Sequence, residues 1–106
     1  MSFISSELKS MNEKREAVLI NDLGTFMQKE IILASEVKNG YLRQFRLPYS
    51  YKSLDYDIRI INNNTLLVRS RKSILEQEFS LPYVIGQPAK GTNNITKKNN
   101  IVYINQ

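Results

Sequence analysis

Between residues 19 and 37 the apolar side chains return every third or fourth position, at Leu19, Leu23, Phe26, Met27, Ile31, Ala34 and Val37. That spacing puts them on one stripe of an amphipathic helix. Past Gly40 the period shortens to two. In "YLRQFRLP", Tyr41, Arg43, Phe45 and Leu47 alternate with Leu42, Gln44 and Arg46, which predicts a strand closed by Pro48 with Phe45 and Leu47 inward. The switch divides a single domain, 1–106, into a long helix over 6–39 and a β headgroup over 40–106.

Upstream of the stripe, "SSELKSMNEKREAV" offers Ser5 or Ser6 as a helix cap, Leu8 and Met11 as sparse apolar positions, and charges on most of the rest. A helix over 6–39 is about 50 Å long at 1.5 Å per residue, more than a small globule can cover. Its first three turns are therefore expected to project as a handle, or to pack on something outside this chain. Gly24 costs such a helix up to about 1 kcal/mol relative to Ala, which the strong helix formers around it offset. Lys38 suits the negative end of the helix dipole, and Asn39-Gly40 supplies a left-handed stop.

In the β region, "YDIRII" turns Tyr56, Ile58 and Ile60 inward, and the Asn62–Asn64 turn leads into "TLLVRS". A three-residue turn sets Ile60 opposite Leu66, Ile58 opposite Val68, Asp57 opposite Arg69 and Asp55 opposite Arg71. "ILEQEFSLP" follows, with Leu75, Phe79 and Leu81 on one face and Glu76 within reach of Arg69. Then come "YVIG", a loop "QPAKGTNN", and a short hairpin turning at Lys98-Asn99-Asn100, whose last strand, "IVYI", is apolar on both faces and so central or covered. The fold class is α+β: one long N-terminal helix on an antiparallel sheet of about five or six strands.

Composition removes most chemistry. The chain has no Cys and no His, which excludes disulfides, thiol nucleophiles, zinc clusters and histidine-based acid–base catalysis. Asp55, Asp57, Glu76 and Glu78 lie on strands beside Arg and Lys rather than in a cleft that would raise one pKa. No segment follows the EF-hand pattern, and "GQPAKG" lacks the Lys-Ser/Thr of a phosphate loop, so no catalytic, cofactor or metal residue is assigned. The net charge is +5, but along the chain bases and acids interleave, as on a solvated surface. Tyr41, Tyr49, Tyr51, Tyr56, Tyr83 and Tyr103 fit half-buried rings better than a nucleic-acid stacking platform. Asn63 and Asn94 head Asn-x-Thr triplets and are candidate glycan acceptors if the protein is exported.

The order "EAVLINDLGTFMQKEIILASEVKNGYLRQFRLP", then "DYDIRIINNNTLLVRS", then "LPYVIGQPAKGTNNITKKNNIVYIN" resembles the type IV pilin-like, class III signal peptide surface proteins of archaea over roughly residues 16–105. The resemblance implies a non-enzymatic, extracellular or cell-surface structural protein, a filament subunit or an accessory one. It also implies self-association, or association with other pilin-like subunits, through the N-terminal helix. An apolar segment that would hold the precursor in a membrane is not in this sequence, so the expectation is a headgroup whose anchor lies upstream of Ser5, the alternative being a relative that never had one. The expectation from another class is a small cytoplasmic binding module for nucleic acid or an acidic protein, with no cofactor in either case.

Overall fold

The computed structural model describes Ser2–Gln106, with side chains described from Met11 onward. One helix, α1, runs Ser2–Glu36 without a break, and the molecule measures 60 × 22 × 17 Å. The expected caps Ser5 and Ser6 and the residues Leu8 and Lys9 have side chains outside those described. Seven strands follow: β1 Leu42–Leu47, β2 Tyr56–Ile61, β3 Thr65–Ser70, β4 Glu76–Ser80, β5 Val84–Gly86, β6 Gly91–Lys98 and β7 Ile101–Ile104.

The fold class is α+β, but the single antiparallel sheet expected from the sequence is two sheets. Four strands order as β1-β6-β7-β5 and three as β2-β3-β4. The pair β5·β7 is parallel, Val84 beside Val102 and Gly86 beside Ile104, so the larger sheet is mixed. The C-terminal strand β7 lies between β6 and β5, which explains why it is apolar on both faces. β6 begins at Gly91, earlier than the loop reading of "QPAKGTNN" allowed. Its outward residues Thr92 and Asn94 are polar, while its inward ones, Asn93 and Lys97, are polar groups that are nonetheless buried.

The hairpin register is the expected one, Ile60 facing Leu66, Ile58 facing Val68 and Asp57 facing Arg69. Its turn works because Asn62 and Asn63 take φ of 55° and 59°, a region Asn tolerates better than most residues. The turn at Asn99 and Asn100 repeats the device, with φ of 52° and 64°.

The core lies between the two sheets and the second half of α1. Leu19, Ile20, Leu23, Met27, Ile31 and Ala34 from the helix meet Phe45, Leu47, Tyr56, Leu66, Val68, Phe79, Ile95 and Ile104. Two members of the expected stripe are outside it: Phe26 is 41% exposed and Val37 half-buried, whereas Ile20, not in that stripe, is buried. Gly24 is buried against the Phe79 ring, so its missing side chain serves helix–strand contact.

Polar side chains stitch the two sheets. The Gln87 amide donates to the Ile60 carbonyl and accepts from the Ile60 N–H, both at 2.8 Å, closing the edge of β2 as a neighbouring strand would. Buried Asn93 donates to the carbonyls of Ala89 and Gly91 and accepts from the Ala89 N–H and the Asn105 amide. The helix end is closed the same way. Lys38 lies beyond Glu36 rather than in the last turn, and the Nζ of buried Lys97 donates to the carbonyls of Ser35 and Val37, each at 2.7 Å. Gly40 does take positive φ, 93°, but in the turn after the helix, where its N–H donates to the Lys97 carbonyl at 2.8 Å.

Candidate assembly surfaces

α1 presents two different faces. At 100° per residue, the buried positions Leu19, Ile20, Leu23, Met27, Ile31 and Ala34 centre on one line, which the head covers. Traced back towards the N-terminus, that line turns polar at Glu16 and Asn12. The side chains from Met11 to Arg15 and at Ala17 and Val18 are all exposed, so apolar burial against the head ends near residue 18, and only the polar side chains of Arg15 and Glu16 still reach it.

A second apolar line runs beside the first. Met11, Val18, Phe26 and Leu33 are 65%, 60%, 41% and 46% exposed, and they fall within about 80° of one another around the helix, roughly 120° from the core line. Arg15, Asp22 and Lys29 lie on the same strip, a charge of alternating sign at every seventh residue.

The head clasps α1 on both flanks, and on one of them it touches the near edge of this strip at Arg15, Asp22 and Phe26 while leaving the rest exposed. On one side Gln28 donates to the Ser80 carbonyl at 2.8 Å and Gln77 donates to Asn21, and below, at the end of the core line, the Ser73 hydroxyl donates to Glu16 at 2.7 Å. On the other, Arg43 donates to both Glu30 oxygens, at 2.6 and 3.3 Å, the Arg15 guanidinium donates to the Lys52 carbonyl, and Tyr51 reaches Asp22 at 3.5 Å. The Glu30 carboxylate, by hydrogen bond and charge, holds the Arg43 guanidinium above its usual pKa. Phe26 meets Phe45 edge-on, ring centres 5.9 Å apart. Beside it lies an apolar hollow of about 200 Å3 lined by Asp22, Leu23, Phe26, Pro48 and Tyr51.

The β head carries its charge unevenly. Segments 37–54 and 79–106, which contain all of the four-stranded sheet and the end of β4, hold seven of the 15 basic residues and none of the ten acidic ones. The expected interleaving of bases and acids therefore fails in these two segments, and the fold gathers them into one sheet. The outer face of this sheet carries Arg46 and Lys98 with Leu42, Thr96, Tyr103 and Ile85 in one cross-strand row. The outer face of the three-stranded sheet is instead mixed. Asp57 lies 3.6 Å from Arg69 and 3.8 Å from Arg71, and Lys72 lies 3.9 Å from Asp55. Arg71 therefore reaches Asp57 with its side chain, and Asp55 only through its N–H, at 2.9 Å from the Asp55 carbonyl. Glu76 sits opposite Arg69 as expected, and Glu78 opposite Leu67.

The other sequence candidates do not converge. The tyrosines are dispersed: Tyr56 is in the core, Tyr51 is at the helix flank, Tyr49 and Tyr83 are exposed, and Tyr103 faces outward. Asn63 is exposed at its hairpin tip, and Asn94 is exposed in mid-strand opposite Gln44. Among the described residues there is no cluster of three or more acidic, His or Cys side chains able to hold a metal ion, and no helix long and apolar enough to cross a membrane. The second helix strip was absent from the sequence reading because Phe26 had been given to the core line. Without it, Met11, Val18 and Leu33 read as scattered apolar residues.

Compared with protein-family models, with curated proteins and with solved structures, the chain has no match in any of the three.

Proposed function

We propose that this protein is a non-enzymatic structural subunit, a small β head carried on a rod that joins it to a larger assembly. The observation that carries the reading is the helix itself: 35 residues long, it gives its core line to the head only from Leu19 onward, while its other apolar line continues out to Met11. A helix end that was only solvated would need no such line. The resemblance gives this reading its specific form, a pilin-like subunit or accessory protein at an archaeal cell surface. There an upstream segment would hold the rod in a membrane and the head would face outward, with exposed Asn63 and Asn94 accessible to glycosylation. The coding sequence upstream tests that form. A prepilin-type cleavage site before about 20 apolar residues supports it, and a reading frame opening at Met1 sinks it.

A second reading is favoured by the acid-free four-stranded sheet, which suits a binding module for an anionic partner such as nucleic acid. Retention of a single-stranded oligonucleotide that weakens steeply between 50 and 200 mM salt, about three-hundredfold for six phosphate contacts, would support it. Salt-independent or absent binding would leave the structural reading alone.

A further inference from the structure

We infer that the rod's partner is a second copy of this chain, docked antiparallel along the strip of Met11, Val18, Phe26 and Leu33. The inference rests on the reading of the rod as an assembly element. It does not need the pilin-like form.

The charges choose the register. In a parallel, in-register pair Arg15 would face Arg15, Asp22 would face Asp22, and Lys29 would face Lys29, like charges at each contact. Antiparallel pairing that sets Arg15 opposite Asp22 of the partner is two-fold symmetric, so the opposite-charge contact forms twice. The same register puts Val18 near the two-fold axis and Met11 opposite Phe26 of the partner. Met11, 65% exposed on its own copy, then enters the hollow of about 200 Å3 that Leu23, Phe26, Pro48 and Tyr51 line on the other. Met suits such an irregular seat because it is unbranched and adaptable. Each projecting half-helix thus lies on the head-borne half of its partner, beside the flank that Pro48, Tyr51 and Lys52 form along the strip. Three of the four exposed apolar residues, Met11, Val18 and Phe26, are covered together in this way. A symmetric pair also closes on itself over these three residues, with Leu33 left outside it.

The test is sedimentation of the whole chain over a range of concentrations, with three sets of variants. Val18→Glu, at a position 60% exposed, should leave the circular dichroism and melting of the head unchanged while weakening the dimer about a hundredfold. Arg15→Asp and Asp22→Arg should each weaken it, and the double swap should restore it. Because the chain has no Cys, introduced thiols report on register. Met11→Cys mixed with Phe26→Cys should give a disulfide-linked dimer on oxidation, and Met11→Cys alone should not. A chain that is monomeric at every concentration overturns the inference and leaves the assembly reading, which allows a different partner, standing. A dimer that survives Val18→Glu, is not restored by the swap, or crosslinks through Met11→Cys alone overturns this inference and leaves the assembly reading standing.

Discussion

The ring of Phe79 fills the place where a side chain at Gly24 would begin: a Cβ built there would lie 1.9 Å from the Phe79 Cε1. β4 therefore lies closer to the helix than any other residue at position 24 permits. Local propensity and packing pull opposite ways at this position, which makes it a test of the helix–sheet contact. Gly24→Ala should raise helix content by up to about 1 kcal/mol in an isolated peptide of α1. In the whole chain it should cost about 1 to 3 kcal/mol, because the Phe79 ring is buried in the core and must shift to make room. Peptide circular dichroism and whole-chain melting check the two signs.

Lys97 should matter more than a lysine on a strand usually does. Its ammonium satisfies two carbonyls at the end of α1 and supplies the cation that the last turn lacks. Lys97→Met keeps most of the buried stem and removes both bonds, at a cost of about 2 to 3 kcal/mol in denaturant unfolding. Lys38→Met, at an exposed position beyond the helix, should shift stability by less than about 0.5 kcal/mol.

Stability should fall at alkaline pH through Tyr56. Burial pushes its phenol up to about 12, and its hydroxyl donates to the Pro48 carbonyl. Below pH 10 the phenol is protonated in both folded and unfolded chains. Between about 10 and 12 only the unfolded chain releases the proton, so unfolding is favoured as pH rises, by at most about 1.4 kcal/mol per pH unit. Urea unfolding at pH 9, 10 and 11 should show this slope in the natural chain and a shallower one in Tyr56→Phe.

The two lines of α1 should respond oppositely to charge. Leu23→Asp and Ile31→Asp place a carboxylate at positions 4% and 0% exposed and should unfold the head, at a cost of several kcal/mol. Leu33→Asp, on the open line, should leave the melting temperature within about 3 °C. Thermal melts of the three variants separate the faces, and a large loss in Leu33→Asp would show that the head itself covers that strip.

What the sequence disclosed, it disclosed through local rules. The hairpin between Ile61 and Thr65 was legible because three consecutive Asn residues fix a turn length and the alternation on either side then fixes the register. The helix was legible from its period, and Gly24 did not break it. The division into two sheets was not, because strand alternation says which face is buried but not which strands pair. The parallel contact of β5 with β7 joins segments that no turn connects. β6 was shortened at its start because Asn93 looks like a loop residue. Its burial depends on partners at Ala89, Gly91 and Asn105 that only the fold assembles. Lys97 gave no sign of its role for the same reason, its acceptors being some 60 residues away. The open strip was hidden by Phe26, which has helix spacing from Leu23 and from Leu33 and so can be assigned to either line.

Hydrogen exchange along α1, followed as the concentration of the whole chain is raised, tests the central claim most directly. The account predicts that amides of residues 11–18 exchange quickly in dilute solution and become protected as the chain assembles, while residues 19–36 are protected throughout and Val18→Glu abolishes the change. Residues 11–18 that exchange equally fast at every concentration would contradict it.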